Sequence, residues 1–186
     1  MSKTSAVAAK ALTSSHFELF GLAPAFTLDL PRLDTAYRDI QSRVHPDRYA
    51  QAGDAERRAS MQMTTQVNEA YRTLKNPVRR AKYLLELNGV DVAFETNTAM
   101  PKDFLMAQLE LREKLEESRS TEDLRQMQQS LAVDKRALEK QIAELVDVHK
   151  DFHGAAGPVR KLMFLERFGE EIDAAFDAIE TQAPKP

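Results

Sequence analysis

The segment Val44-His45-Pro46-Asp47-Arg48-Tyr49 separates two helical patterns, and the interpretation of the N-terminal half of the chain depends on it. Proline has no backbone N–H and disfavours helical angles in the residue before it, so the preceding helix should end at or just before His45. An imidazole and a carboxylate are then displayed at the tip of a helical hairpin. Proline and aspartate are common in ordinary turns, but loop residues on a rigid scaffold often carry function.

The residues on both sides of this loop repeat at helical spacing. Upstream, Arg38 and Arg43 lie off an apolar stripe that is formed by Leu33, Tyr37, Ile40 and Val44. Downstream, a helix that begins near residue 54 has its later apolar positions at Val67, Ala70, Tyr71 and Leu74. The sequence therefore predicts two antiparallel helices joined by the His-Pro-Asp loop, with a short helix over residues 16–20 before them.

The remainder of the chain also has helical patterns, and no segment alternates with the period of a β-strand. Asp29 is the predicted N-cap of the helix before the loop, and Pro31 lies in its first turn. We expect helices over residues 16–20, 30–44, 54–74, 78–87, 101–119 and 121–152, followed by a last helix that ends near residue 179. Glycines should end the first and fourth helices, at Gly21 and Asn88-Gly89. Gly154 and Gly157-Pro158 are predicted to separate the last two helices, so residues after 101 should form an antiparallel three-helix bundle.

Charge is unevenly distributed along the chain, although its net value is only −3. Residues 1–88 carry 13 basic and 9 acidic side chains, whereas residues 89–186 carry 13 basic and 20 acidic side chains. The negative total argues against a general nucleic-acid binder, and the asymmetry indicates two modules with different partners. The sequence contains no cysteine, which excludes disulfides, thiolate nucleophiles and cysteine-ligated metal clusters. No apolar run approaches the ~20 residues that a membrane-spanning helix needs.

The helix predicted from residue 101 has more apolar surface than one bundle interface needs. One side of it consists of Phe104, Ala107, Gln108, Leu111 and Leu115. On roughly the opposite side, beside two glutamates, lie Leu105, Met106, Leu109, Glu110 and Glu113. This second side either packs on the N-terminal module or forms an exposed protein-binding surface with an acidic border.

The last helix has a similar surplus of apolar residues. Its predicted core stripe consists of Leu162, Leu165, Ile172, Phe176 and Ile179. Met163 and Phe164 are expected to point away from that stripe. A bulky aromatic side chain off the core face would belong to an interdomain contact or to the same binding surface.

These motifs resemble known families at two levels. The helical hairpin with His45-Pro46-Asp47, preceded by Phe17-Glu18-Leu19-Phe20-Gly21-Leu22, is similar to a J-domain. Over about residues 16–180 the chain resembles the HscB family of iron–sulfur co-chaperones. This likeness rests on the segments Arg80-Ala81-Lys82-Tyr83-Leu84-Leu85, Phe104-Leu105-Met106-Ala107-Gln108-Leu109-Glu110-Leu111-Arg112-Glu113 and Arg160-Lys161-Leu162-Met163-Phe164-Leu165.

The resemblance implies an all-α molecule, L-shaped overall, with an N-terminal J-domain followed by a C-terminal three-helix bundle. We divide the chain into a disordered tail (1–15), the J-domain (16–88), a linker (89–100), the scaffold-binding bundle (101–180) and a second tail (181–186). In this family the J-domain stimulates ATP hydrolysis by a dedicated DnaK-type chaperone, HscA. The bundle binds the cluster-assembly scaffold protein, IscU.

By this resemblance, the residues expected to bind the chaperone are His45, Pro46, Asp47, Arg38 and Arg43. The residues expected to contact the scaffold are Leu105, Met106, Leu109, Glu110, Glu113 and Phe164. The resemblance further implies a bacterial, cytoplasmic co-chaperone that has no catalytic residues, no cofactor and no metal of its own. Neither a nucleic acid nor a membrane is an expected partner.

Three alternatives remain open at this point. His45 and Asp47 could be an acid–base pair of an enzyme, although no nucleophile, phosphate loop or metal motif accompanies them in the sequence. His149, Asp151 and His153 have the spacing of metal ligands on a helix, near its end. A J-domain co-chaperone for a different client would keep the loop but would not use the face around residue 105.

Overall fold

The computed structural model describes residues 15–49, 52–92 and 101–182, and these residues contain α-helices and no β-strand. The predicted all-α class is therefore confirmed. The predicted tails, 1–15 and 181–186, lie largely outside the described residues, as does most of the predicted linker, 89–100. The chain divides into two compact units at the boundary between Leu84 and Leu85. The finer domain limits stay predictions.

The helices of the first unit begin and end where local signals predict. The unit contains α1 (His16–Leu19), α2 (Leu30–Val44), α3 (Asp54–Lys75) and most of α4 (Pro77–Leu87). Asp29 is the N-cap of α2, because its side chain accepts a hydrogen bond from the Arg32 N–H at 3.0 Å. The predicted helix ends at Gly21 and Gly89 are confirmed, since both glycines have positive φ angles, 64° and 74°.

The core of the first unit is formed where α1 and α2 pack on α3. Its side chains with no solvent exposure include Phe17, Leu33, Val67, Ala70 and Leu74. Arg80 of α4 is also buried; its guanidinium donates a hydrogen bond to the Leu74 carbonyl and lies 5.2 Å from the Phe26 ring centroid. A buried charge is tolerated only with such partners, so Arg80 links α4 to the end of α3.

A polar network joins α2 to α3. The rings of Tyr37 and Tyr71 stack with their centroids 4.0 Å apart. The Lys75 ammonium donates to the Tyr71 hydroxyl, which in turn donates to Asp34 Oδ1 at 2.9 Å. This hydrogen bond from Tyr71, together with the contact from Lys75 at 3.3 Å, holds the pKa of Asp34 below its ordinary value. The network fixes α2 against α3 and so fixes the loop that joins them.

The second unit contains three long helices, as predicted for the C-terminal bundle. Its elements are α5 (Lys102–Glu117), α6 (Thr121–Ala143), a π-helical turn (Glu144–Val148) and α7 (Phe152–Gln182). α6 and α7 form the close pair. The buried centre consists of Leu124, Leu131, Phe164, Leu165, Phe168 and Ile172, and α5 packs on it through Phe104, Leu111 and Leu115.

The break between the last two helices lies earlier than predicted. We expected α6 to reach Phe152, with Gly154 and Gly157-Pro158 separating the helices, and this prediction is wrong. The chain leaves helical geometry at Lys150, whose φ is 56°. Asp151 then caps α7, since its carboxylate accepts the Gly154 N–H at 2.8 Å. Pro158 lies inside α7, where the loss of one intrahelical hydrogen bond does not end the helix.

The position of Phe164 also differs from the prediction. We expected this side chain to point away from the core, but it is only 1% exposed. Its ring contacts Phe104 of α5, with centroids 5.5 Å apart, and Phe168 of α7, with centroids 6.1 Å apart. The reason is that α5 and α6 both contribute to the core around α7, so the buried side of α7 is wider than a single stripe.

Candidate protein-binding sites

The His-Pro-Asp loop forms the exposed connection between α2 and α3. His45 has extended angles (φ −57°, ψ 130°), as expected before proline, and Pro46–Tyr49 form one turn of 3-10 helix. The Asp47 N–H donates to His45 Nδ1 at 3.3 Å, and this nitrogen also lies 3.5 Å from Asp47 Oδ2. The side chains of His45 and Asp47 are 51% and 89% exposed. The structure therefore brings the imidazole and the carboxylate together, facing solvent.

The two predicted arginines lie on the exposed surface of α2. Arg38 Nε donates to the Asp34 carbonyl at 3.2 Å, and Arg43 Nε donates to the Asp39 carbonyl at 3.0 Å. Each guanidinium is thus held along the helix that leads into the loop. A partner that contacts the loop would meet positive charge on the adjoining helix.

Residues just after the motif close the end of α2. The last carbonyl oxygens of a helix have no intrahelical partners and need other donors. Arg48 Nη1 donates to the Ser42 carbonyl at 2.9 Å, and the Tyr49 hydroxyl donates to the Arg43 carbonyl at 3.3 Å. The 3-10 turn is therefore folded back onto the helix that precedes it.

Two hydroxyl groups from α3 complete this closure, and sequence reasoning did not identify them. Ser60 Oγ and Thr64 Oγ1 donate to the Val44 carbonyl at 2.6 and 3.1 Å. Both residues precede Val67 at helical spacing, so they continue the buried side of α3. Hydroxyl residues in line with an apolar stripe were the signal that could have revealed them.

The second candidate site is an apolar surface on α5. Leu105, Met106 and Leu109 are 48%, 65% and 60% exposed. Glu110 and Glu113 are also exposed and lie beside them, because residues three and four apart share one side of a helix. The structure therefore brings together five of the six predicted scaffold-binding residues. These five residues are called the α5 surface.

The sixth predicted residue, Phe164, lies on the inner side of α5. Its ring meets Phe104 edge to face, at an interplanar angle of 82°. The Arg112 guanidinium lies 5.4 Å from the Phe164 ring centroid and forms two contacts of 3.4 Å with the Glu171 carboxylate. The Lys161 ammonium lies 5.5 Å from the centroid of the Phe104 ring. These contacts attach α5 to α7 and leave the α5 surface facing outward.

The alternative of a metal site at His149, Asp151 and His153 is not supported by the described residues. His149 Nε2 lies 3.1 Å from a Glu144 carboxylate oxygen, while Asp151 is the N-cap of α7. Within residues 15–49, 52–92 and 101–182, no three His, Asp or Glu side chains converge as metal ligands would. Among the same residues, no helix has the length and apolar character needed to cross a membrane.

A helical hairpin that displays an exposed His-Pro-Asp loop defines a J-domain protein, the class of co-chaperone that acts on Hsp70-type chaperones. A model of the DnaJ domain matches residues 15–83, and a model of the "HSCB C-terminal oligomerisation domain" matches residues 100–173. Co-chaperone protein HscB homologs from Burkholderia thailandensis and Burkholderia multivorans are 48% and 47% identical to this chain, covering 91% of it and 98% of each relative. The chain belongs to the HscB co-chaperone family.

Solved structures give the same result. HscB from Vibrio cholerae superposes with a TM-score of 0.79 at 35% identity, over 89% of this chain and 99% of that one. The crystal structure of human HscB gives a TM-score of 0.83 at 28% identity, over 87% of this chain and 82% of that one. The family and the combination of a J-domain with the HscB C-terminal domain, predicted from the sequence, are thereby confirmed.

Proposed function

We propose that this protein stimulates the ATPase of a dedicated DnaK/HscA-type chaperone and delivers an IscU-type iron–sulfur scaffold protein to it. The observation that carries the proposal is the presence of two exposed surfaces of different chemistry on two separate units. One is the loop around His45 and Asp47 on the first unit, and the other is the α5 surface on the second. Maturation of iron–sulfur proteins would be the process that such a delivery serves.

The first unit supplies the contact with the chaperone. Arg38 and Arg43 steer α2 towards an acidic surface, since opposite charges speed encounter and fix orientation. His45, Pro46 and Asp47 then bind the hydrolysis-competent conformation of the chaperone more tightly than its other conformations. Differential binding of this kind shifts the conformational equilibrium, so the protein accelerates hydrolysis without taking part in the chemistry.

The second unit supplies the contact with the scaffold. Leu105, Met106 and Leu109 are apolar anchors that lose solvent on binding, while Glu110 and Glu113 form a charged border that selects the partner. Phe164 is buried, so we assign it a supporting role on the inner side of α5 instead of direct contact. The aromatic contact between Phe104 and Phe164 attaches α5 to the bundle and leaves the apolar anchors facing outward, where a scaffold can reach them.

Joining the two surfaces in one chain raises the effective concentration of the scaffold at the chaperone. The protein is therefore an adaptor and not an enzyme in this proposal. The proposal includes a bacterial cytosolic location, since the relatives named above from Burkholderia are bacterial. Neither a nucleic acid nor a lipid surface is needed as a partner.

Steady-state ATP hydrolysis by the HscA-type chaperone tests the proposal. It should be measured with and without the IscU-type scaffold in the presence of wild type, Asp47→Asn and Leu105→Ala/Leu109→Ala. Asp47→Asn should abolish stimulation without changing the unfolding temperature, because this side chain is 89% exposed. The double variant should lose only the part of the stimulation that depends on the scaffold.

A matched control for the double variant is Val133→Ala/Val148→Ala, which removes two other apolar side chains of the second unit that are 62% and 63% exposed. This control should behave as wild type. No stimulation by wild type would show that the pairing with this chaperone is wrong. If Leu105→Ala/Leu109→Ala also behaves as wild type, the protein is a J-domain co-chaperone for another client.

A further inference from the structure

The Val44 carbonyl is the last backbone acceptor before the His-Pro-Asp loop, and it receives two hydrogen bonds from α3. The donors are Ser60 Oγ at 2.6 Å and Thr64 Oγ1 at 3.1 Å, one helical turn apart. Ser60 is only 5% exposed, although serine is usually found at the surface. A buried serine whose hydroxyl reaches another helix has a specific partner to satisfy.

These bonds are not the ones that helical hydroxyl residues usually make. A serine or threonine inside a helix tends to bond the carbonyl of its own helix four residues earlier. Thr65 does so, because its Oγ1 donates to the Met61 carbonyl at 3.0 Å. Ser60 and Thr64 of the same helix instead donate across the hairpin to the Val44 carbonyl of α2.

These two hydrogen bonds matter because their acceptor, the Val44 carbonyl, lies directly before His45. The Val44 carbonyl and the His45 N–H belong to one planar peptide unit, so a fixed carbonyl direction also fixes where the N–H and the Cα atom of His45 lie. The His45 carbonyl follows in the next peptide unit and accepts the Arg48 N–H at 3.1 Å, so the 3-10 turn is attached to this point of the chain. The orientation of the loop is thus tied to α3 through two hydroxyl groups.

We infer that Ser60 and Thr64 are positioning residues for chaperone activation: they hold the peptide plane between Val44 and His45 in the orientation that displays His45 and Asp47. The effect on chaperone stimulation rests on the proposed function, but the effect on the orientation of the loop can be tested without the chaperone. Neither hydroxyl needs to touch the chaperone. Both act through the loop.

The test uses Ser60→Ala/Thr64→Val, which removes both donors, and Thr64→Val, which keeps one and preserves volume. Thr64→Ser keeps the hydroxyl and is the rescue variant, while Thr65→Val is the matched control on the same helix. In the full chain, amide hydrogen exchange of Arg48 should become faster in the double variant, by about five- to tenfold for hydrogen bonds worth roughly 1 kcal/mol. Thr64→Ser and Thr65→Val should exchange at the wild-type rate. Unchanged exchange in the double variant would overturn the inference.

Chaperone ATPase, measured over a range of co-chaperone concentrations, then separates positioning from binding. A displaced loop should lower the maximal stimulation, whereas the half-maximal concentration, set mainly by Arg38 and Arg43, should change less. Thr64→Val should show a smaller loss of the same kind if the double variant proves too unstable to assay. Wild-type stimulation by every variant would overturn the inference. If wild type itself fails to stimulate, the proposed function is wrong, and the exchange measurement alone decides the positioning role.

Discussion

Phe164 and Met106 lie in the same region of the second unit but have opposite surroundings. The Phe164 ring is 1% exposed and packs between Phe104 and Phe168, whereas Met106 is 65% exposed. Removing a buried ring leaves a cavity whose lining loses its contacts, while truncating an exposed side chain changes little in the folded state. Stability and client binding should therefore depend on different residues here.

Phe164→Ala should lower the free energy of unfolding by about 3–5 kcal/mol, the usual cost of deleting a buried aromatic side chain. Met106→Ala should change it by less than about 0.5 kcal/mol, as surface substitutions usually do. Urea denaturation followed by circular dichroism measures both. A small effect of Phe164→Ala would contradict its placement in the core.

Asp34 should make the first unit sensitive to acid. Its pKa is lowered in the folded protein, mainly by the hydrogen bond from Tyr71. A carboxyl group with a lowered pKa stabilises the fold above its ordinary value of about 4, and this stability is lost as the pH falls through the lowered pKa.

We therefore expect the free energy of unfolding to fall less between pH 7 and pH 3 in Asp34→Asn than in wild type. Urea denaturation followed by circular dichroism at each pH measures this difference. Tyr71→Phe, which removes the main donor to Asp34, should reduce the pH dependence in the same direction. An identical pH dependence in wild type and Asp34→Asn would contradict this assignment.

Single residues differed in how far the sequence could assign them. The exposure of Asp47 was predictable, because it follows from a proline-containing turn. That of Met106 was not, since a second apolar side of a helix could equally have packed on the N-terminal module. The burial of Phe164 was not, because it depends on how many helices pack around α7. The partners of Ser60 and Thr64 were not predictable either, since a hydroxyl group has a local acceptor in every helix.

At the level of elements, the start of α7 depends on one capping contact. The Asp151 carboxylate accepts the Gly154 N–H, and a Cβ atom at residue 154 would collide with that carboxylate. The two residues should therefore be energetically coupled. Glycine is favourable at this position only while the cap is present.

Asp151→Ala should cost about 1 kcal/mol, the usual value of an N-cap. Gly154→Ala alone should also destabilise, because the carboxylate must leave its capping position. In the Asp151→Ala background, the same substitution should stabilise by up to about 1 kcal/mol, since alanine has the higher helix propensity. A double-mutant cycle of urea midpoints measures the coupling, and simple additivity of the two changes would contradict it.

The ends of elements were predictable where one signal acted alone. Asp29, Gly21 and Gly89 mark helix limits that the structure confirms. Between α6 and α7, the capping signal of Asp151 competed with the stronger helix-breaking signals of Gly154 and Gly157-Pro158. The cap determines the break, because Gly154 serves it and Pro158 is tolerated inside α7.

For the whole molecule, the uneven charge distribution separates the two proposed interactions. Residues 1–88 carry an excess of basic side chains, and residues 89–186 carry an excess of acidic ones. Exposed charges are screened by salt, whereas apolar anchors are not. The chaperone contact, which uses Arg38 and Arg43, should thus be more sensitive to salt than the scaffold contact.

Raising the salt from about 50 to about 300 mM shortens the Debye length from roughly 14 to roughly 6 Å. The half-maximal concentration for chaperone stimulation should rise about threefold or more over this range, because screening weakens electrostatic steering. Binding of the scaffold, measured by calorimetry, should change less. Arg38→Gln/Arg43→Gln should remove most of the salt effect, and an equal salt dependence of both interactions would contradict the prediction.

Both modules could be predicted from the sequence because each carries a local motif, the His-Pro-Asp loop in one and the apolar segment after residue 104 in the other. The attachment of α5 to its neighbouring helices could not be predicted from the sequence. It depends on contacts between residues far apart in the chain, such as the Arg112–Glu171 pair.

That attachment has a consequence for how a client would be handed over. The inward side chains of α5 that pack on the core, among them Phe104, Leu111 and Leu115, are only partly buried, and α5 contains no fully buried residue. A helix held this lightly keeps conformational freedom that a bound client must restrict, and that cost favours rapid dissociation. Under the proposed function a carrier has to release what it delivers, and we expect the shallow seating of α5 to shorten the residence time of the scaffold.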